Sequence, residues 1–335
     1  MIPIIDASPL FGPPGSARNS TDAAILDAAT KSGFMTLGNL PAHVPITAPE
    51  IDRLLRVFNL PQKVTQHLWR QKFAAEQANV YRGWFPLQDG HPTYKEGYDL
   101  GPDIAYGPSR VDPADPLKEA TPLPPTDLLP GWQDEMAGYY RSMEQVGAAL
   151  LRAIARGLHL PEDTFAPAFA DGVSTLRLLH YPIRPPHSFN GVNADEIWTE
   201  HAGRKVDLVG KAHVDSGFVT LLCQHGIAGL QALGNNGEWL DVPPRPDSLV
   251  INFGKLLERW TAGRIKATRH RVIGGGNVAR YSVPFFYEPG VNAVIAPISA
   301  LGGSFEPFLY GDMLWEAMIR FVEFEGLDHL RQKRA

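Results

Sequence analysis

His213-Val214-Asp215 is the single His-x-Asp of the chain. On an extended backbone residues i and i+2 face the same side, so an imidazole nitrogen and a carboxylate oxygen can reach a common point. With 11 histidines and 36 acids such a pair also arises by chance, as a solvated histidine beside an acid. His270 follows 57 residues later (270 − 213), inside the β-branched run KATRHRVI, which reads as an inward-facing strand. Two histidines and a carboxylate from neighbouring strands make the facial triad expected for non-heme Fe(II), with the opposite side of the metal open. The competing reading of His270 is a hydrogen-bonded core histidine.

Ten residues beyond His270 stands Arg280-Tyr281-Ser282. Period two puts the guanidinium and the hydroxyl on one face and Tyr281 on the other. A planar fork beside a hydroxyl suits a bound carboxylate. The alternative is a surface arginine on an edge strand. Val283, Pro284, Phe285 and Phe286 continue the segment as a strongly apolar strand, so an arginine at its entrance is partly buried and needs an anion.

These residues require a rigid sheet. From 173 onward, short β-branched and aromatic runs alternate with Gly, Asn and Pro: 173–181, 206–214, 218–224, 228–233, 238–242, 248–253, 266–273, 278–287 and 292–296. Such spacing predicts a sandwich, barrel or jelly roll. Upstream, Ile2 to Ile5 reads as a strand and 21–32 as a helix closed at Gly33. Thr47-Ala48-Pro49-Glu50 has the spacing of a capping box and opens a second helix that ends near Pro61. Eight prolines within 101–130 exclude a continuous helix or sheet, predicting a long surface connection. From Trp132 to Gly157 apolar residues recur every three or four positions, predicting the longest helix, packed on a sheet. Met313 to Phe324 predicts a last amphipathic helix with Leu314, Met318, Phe321 and Val322 on one face.

Composition narrows the function. A chain of 335 residues with 44% hydrophobic and 20% charged residues can bury a large core and is not disordered. Thirty-two glycines and 30 prolines favour a turn-rich β protein over a helical bundle. A net charge of −5 without a basic run argues against nucleic acid. Cys223 is the only cysteine, which excludes an intrachain disulfide and a cysteine-built zinc or iron–sulfur cluster and favours a reducing compartment. The N-terminus MIPIIDASPLFG lacks signal-peptide character, and no apolar run is long enough to cross a bilayer. We therefore expect a cytoplasmic protein with no membrane association and no obligatory protein partner.

The order of motifs carries a resemblance. YP, HVDSG, GLQ, SLVINFG, ERWTAGR, HRV and RYSVPFF, in that sequence, resemble the iron- and 2-oxoglutarate-dependent dioxygenases of the isopenicillin N synthase-like group. IPIIDAS, GFMTLGNLP, YRGWFP and KEGYDLG resemble the N-terminal region of the same group, so the likeness spans roughly residues 2–325. It implies a mainly β fold with flanking helices around a double-stranded β-helix, that is, a jelly-roll core. The organisation expected is an N-terminal α/β region over 1–100, a Pro-rich connection over 101–130, and a catalytic domain over 131–335 with its C-terminal helix, all one integrated unit. His213, Asp215 and His270 match the iron ligands, Arg280 and Ser282 match the pair that binds the distal carboxylate of 2-oxoglutarate, and Tyr181 matches a tyrosine that helps bind it.

The implied function is a dioxygenase using Fe(II), 2-oxoglutarate and O2, releasing succinate and CO2 while oxidising, most simply hydroxylating, a small organic molecule. Because Asp215 is a carboxylate, halogenation is disfavoured, whereas desaturation and ring closure stay open. Alternatives are an isopenicillin N synthase-like oxidase that does not use 2-oxoglutarate and, outside the class, a metal-dependent hydrolase or a jelly-roll binding protein. Two departures from the pattern are Leu179, where many plant members have Asn, and Lys255, where the group has Asp. Trp84, Phe85, Phe285 and Tyr287 are the candidate substrate aromatics. The stretch from Arg184 to Gly210 is longer than usual and reads either as a recognition loop at the cavity mouth or as a surface insertion.

Overall fold

The computed structural model describes residues 1–332 apart from Gly275, Val322, Glu323 and Glu325. Its strands, in chain order, are β1 (Ile4–Asp6), β2 (Phe34–Gly38), β3 (Gly83–Phe85), β4 (Glu96–Leu100), β5 (Thr175–Tyr181), β6 (Trp198–His201) and β7 (Arg204–His213). There follow β8 (Val219–His225), β9 (Leu230–Leu233), β10 (Trp239–Asp241), β11 (Leu249–Phe253), β12 (His270–Ile273) and β13 (Arg280–Tyr287). The larger sheet runs β1-β2-β11-β8-β13-β5-β4-β3 and the smaller one β10-β9-β12-β7-β6. The pairing is antiparallel within both sheets except between β1 and β2. Strands from the first hundred residues thus extend the larger sheet at both of its edges.

Strand alternation sorts the side chains into two cores. One face of the larger sheet carries Met35, Leu37, Leu176, Leu178, Leu221, Leu249, Ile251, Val283 and Phe285 against the helix Trp132–Gly157, which supplies Met136, Tyr140, Met143, Val146 and Leu150. Tyr140 meets Phe285 edge to face at 4.9 Å; each such fully buried ring contributes about 1.5–3 kcal/mol relative to an exposed one. The opposite face carries Phe34, Leu179, Tyr181, Leu222 and Val250, which pack with Val209, Leu230, Ala232 and Val272 of the smaller sheet. The two sheets therefore curl about a shared interior, which is a double-stranded β-helix.

Local signals explain the helices. The 26-residue helix Trp132–Gly157 has Asp134 and Glu135 in its first turn, where acids suit the helix dipole. The helix Ser16–Lys31 begins before the expected residue 21, because its first turn is polar and exposed and carries no apolar period. Gly33 ends it with φ +63 and an N–H to Ala28 O, and a Cβ there would stand 2.2 Å from Lys266 O. The Thr47/Glu50 capping box forms as expected. The last helix runs Tyr310–Met318, earlier than expected, since Tyr310 and Trp315 bury their rings while Phe321 is exposed; Val322 lies outside the described residues. Among the described residues no helix is long and apolar enough to cross a membrane.

Two expectations about irregular segments change. The segment 101–130 is not a plain surface connection: Asp115, Leu117 and Thr121 are buried. Its polar groups find partners there, as Glu119 accepts from the N–H groups of Val80 and Tyr81 and Asp103 accepts from Thr121. The stretch after Arg184 is largely ordered structure, with β6 and β7 forming a hairpin that extends the smaller sheet. Arg184 ties its start to the preceding loop by donating to His91 O (2.6 Å) and Pro92 O (2.9 Å).

Candidate metal centre

Strand register brings the triad together. His213 at the end of β7 pairs directly with His270 at the start of β12, and their ring centroids lie 4.3 Å apart. Asp215 follows two residues after His213, where the chain leaves the sheet. Its Oδ1 lies 3.4 Å from His213 Nε2 and 3.5 Å from His270 Nε2. One ligand atom from each of the three residues lies within 4.8 Å of the others.

The hydrogen bonds of the histidines set their tautomers. His213 Nδ1 lies 2.8 Å from Lys211 O and His270 Nδ1 lies 3.2 Å from Thr268 O. A carbonyl only accepts, so each Nδ1 carries a proton and each Nε2 is directed at Asp215 Oδ1. For His213 burial disfavours the charged ring, but the Asp215 carboxylate outweighs it and raises its basicity. Burial lowers the basicity of His270, which favours its neutral form. For Asp215 burial opposes ionisation, but His270, His213 and the Thr220 hydroxyl outweigh it and hold the carboxyl well below its ordinary range. Two imidazole Nε2 atoms and one carboxylate oxygen thus converge on one point, where a divalent cation can take the place of a proton shared between them. The donor set, two imidazoles and one carboxylate on one side, fits Fe(II).

The second carboxylate oxygen is occupied by the fold. Thr220 Oγ1 donates to Asp215 Oδ2 at 2.6 Å and Asn252 Nδ2 donates at 2.7 Å. Thr220 on β8 and Asn252 on β11 are cross-strand partners, so both reach the same atom. Sequence reasoning missed this pair; the signal was a polar Asn inside the apolar run LVINF. Lys255 has a backbone role, its N–H donating to Asp215 O at 2.8 Å, while its side chain is exposed.

A second polar site opens on the same interior. Arg280 is 1% exposed; its Nη1 donates to Ser282 Oγ (3.2 Å) and its Nη2 to Gln224 Oε1 (3.3 Å). Its buried Nε has no hydrogen-bond partner, and among the described residues no carboxylate pairs with the guanidinium. Burial pushes its pKa down, partly offset by Tyr181, whose ring lies 5.1 Å from Cζ. Register puts Tyr181 opposite Arg280 and both Leu179 and Gln224 opposite Ser282. Gln224 was not anticipated. A buried cation with an idle donor is the complement of a carboxylate.

The four candidate aromatics separate. Phe85 lies in the interior cluster shared with Tyr181 and Leu179. Trp84, Phe285 and Tyr287 do not join it; they belong to the helix-side core, because alternation turns them away from Phe85, Arg280 and Ser282. Trp84 packs on Phe58 and Tyr98, and Tyr287 stacks on Phe169 at 4.4 Å. The aromatic neighbour of the triad is instead Phe34, edge-on to His270 at 5.6 Å.

Comparison with known proteins agrees with this arrangement. A family model described as the 2OG-Fe(II) oxygenase superfamily matches residues 176–289. A 2-oxoglutarate-dependent dioxygenase of Aspergillus rugulosus is 32% identical over 304 residues, covering 84% of this chain and 86% of that protein. Isopenicillin N synthase of Streptomyces clavuligerus is 27% identical over 97% of both chains. Among solved structures, a full-length Neurospora crassa protein in complex with alpha-KG and 5-formyluracil superposes with a TM-score of 0.77 at 26% identity, covering 96% of each chain.

Proposed function

The chain belongs to the 2OG-Fe(II) oxygenase superfamily, and on that premise we propose that His213, Asp215 and His270 hold the Fe(II) while Arg280 and Ser282, with Tyr181 beside them, bind the distal carboxylate of 2-oxoglutarate. The enzyme is a non-heme Fe(II)/2-oxoglutarate-dependent oxidoreductase whose co-substrates are 2-oxoglutarate and O2. Bound iron supplies oxidation of the prime substrate coupled to conversion of 2-oxoglutarate to succinate and CO2.

The observation that carries the residue assignment is the presence, on one interior, of a converging donor triad and a buried guanidinium. Three ligand atoms lie within 4.8 Å of one another, and a buried guanidinium pairs with no carboxylate among the described residues. The chain's own residues do three things there. Thr220 and Asn252 occupy one oxygen of Asp215, so that the other, facing the histidines, would be the one to hold a metal. The Nδ1 bonds hold both imidazoles in the ligating tautomer. The apolar interior lined by Phe34, Phe85, Leu179 and Leu222 limits water around the reacting groups.

The prime substrate is a small, partly apolar organic molecule, with hydroxylation the simplest outcome, and Phe85, which shares the interior cluster with Tyr181 and Leu179, is the sequence-derived aromatic that we assign to it. The likeness to isopenicillin N synthase supports a second reading, an oxidase in which Arg280 and Ser282 grip a substrate carboxylate. Oxygen- and Fe(II)-dependent conversion of labelled 2-oxoglutarate to labelled succinate decides between them; its absence in iron-loaded protein would select the oxidase. We further propose one integrated catalytic unit acting in the cytoplasm, since the first hundred residues share the larger sheet and the single cysteine is buried. The absence of a basic run speaks against nucleic acid as partner.

A further inference from the structure

Glu288, just past the end of β13, is a buried carboxyl that the oxygenase reading does not use. It is 6% exposed, and among the described residues no cation forms an ion pair with it. Burial pushes its carboxyl up to about 8. Leaving such a group inside the fold costs stability unless it is hydrogen-bonded. The Tyr310 hydroxyl and the Phe218 N–H both donate to it. Its own N–H donates to Ser174 Oγ at 3.1 Å.

Phe218 ends the turn Asp215-Ser216-Gly217-Phe218. Glu288 lies hard against that turn: a Cβ placed on Gly217 would stand 1.9 Å from Glu288 Oε1. On the other side the turn meets Gly254, where a Cβ would stand 2.1 Å from Gly217 O. Lys255 N–H donates to Asp215 O (2.8 Å), Leu256 N–H to Gly217 O (3.2 Å) and Gly254 N–H to Phe218 O (2.9 Å). The turn that carries Asp215 is thus gripped between the start of the helix Lys255–Trp260 and the Glu288 carboxyl. Both glycines are required by these close approaches.

We propose that Glu288, held by Tyr310, is a positioning residue for the metal centre: it sets the path of the 215–218 turn and so the direction of Asp215 Oδ1. The inference rests on the reading of His213, Asp215 and His270 as the metal ligands. Thr220 and Asn252 fix the carboxylate from its own side, while Glu288 fixes the backbone from which that carboxylate extends. A residue acting this way changes metal affinity without touching the metal.

The test uses the full-length protein, metal-free, titrated anaerobically with Fe(II) and separately with Co(II), whose visible band reports coordination geometry. Glu288→Ala should weaken binding of both metals by about 10- to 100-fold, the range for loss of an outer support of a metal ligand, and shift the Co(II) band. Glu288→Gln keeps the side-chain shape and an acceptor for Phe218 N–H, and should bind within about threefold of wild type by the same yardstick. If Glu288→Ala fails to fold, Tyr310→Phe, which removes one hydroxyl, should give a smaller loss with a shifted band. Wild-type affinity and band in Glu288→Ala, or in Tyr310→Phe where that is the variant measured, would overturn the inference. Failure of the wild-type protein to bind either metal would instead overturn the metal-ligand reading.

Discussion

Asn252 Nδ2 lies 2.7 Å from Asp215 Oδ2, the carboxylate oxygen turned away from both histidines. With Thr220 on the same atom, the carboxylate is held as a one-oxygen ligand before any metal arrives. Asn252→Leu is expected to cost about 1–3 kcal/mol of stability through the lost buried hydrogen bond. Fe(II) affinity should fall by roughly tenfold. Asp215→Ala, by contrast, should abolish tight Fe(II) binding while the protein remains folded. Circular dichroism melts and anaerobic iron titration read both; an Asp215→Ala protein that held iron and turned over normally would remove the triad from consideration.

Arg280 is a buried cation that pairs with no carboxylate among the described residues, so it should oppose folding and favour binding. Arg280→Lys replaces a planar fork with a point charge and should weaken 2-oxoglutarate binding by about 1–3 kcal/mol, with less effect on turnover at saturation. Arg280→Met should melt at or above the wild-type temperature when 2-oxoglutarate is absent, since replacing a buried charge by an apolar chain is often neutral or stabilising. An unchanged 2-oxoglutarate KM in Arg280→Lys would move the assignment to the oxidase branch.

Glu288 makes stability depend on pH. Its carboxyl titrates near 4.5 when unfolded and at about 8 when buried beside Tyr310 and facing Asp215. Between those values the folded state holds a proton that the unfolded state has released. Stability should therefore be fully present below about pH 4.5 and fall as pH rises to about 8, by up to a few kcal/mol. Glu288→Gln should flatten that part of the profile. Urea melts from pH 5 to 8 check it: equal slopes in wild type and variant would show that Glu288 ionises normally in the fold.

The hairpin β6–β7 is knitted into the smaller sheet. Arg271 Nη1 donates to Thr199 Oγ1 at 2.9 Å and Gln231 Nε2 donates to His201 Nδ1 at 2.9 Å. Both bonds join the hairpin to the strands β12 and β9, and β12 carries His270. Replacing 187–203 with a Gly/Ser linker should lower the melting temperature, leave Arg271 under-satisfied at a cost of about 1–3 kcal/mol, and reduce succinate formation even without a prime substrate. Retained uncoupled succinate formation with loss of prime-substrate oxidation would make the segment a recognition loop instead.

Much of the molecule was legible in residue order because its decisive features are local or periodic. The i, i+2 spacing of His213 and Asp215, and of Arg280 and Ser282, puts each pair on one face of any extended chain, whatever the fold around it. The 26-residue helix was readable end to end, since its apolar stripe begins and stops sharply. Period two also contained the answer for Phe285 and Tyr287, which share a face with Tyr281 rather than with Arg280, although their aromatic character alone suggested a pocket. Other features depend on which strands become neighbours. Thr220 and Asn252 stand 32 residues apart (252 − 220) and meet at Asp215 Oδ2 only because β8 and β11 pair in that register. The grip of Glu288 on the 215–218 turn, the burial of Asp115 and Leu117 in a proline-rich segment, and the lack of a carboxylate partner for Arg280 among the described residues likewise come from packing between distant segments. Chain periodicity carries no information about such packing until the two sheets close on each other.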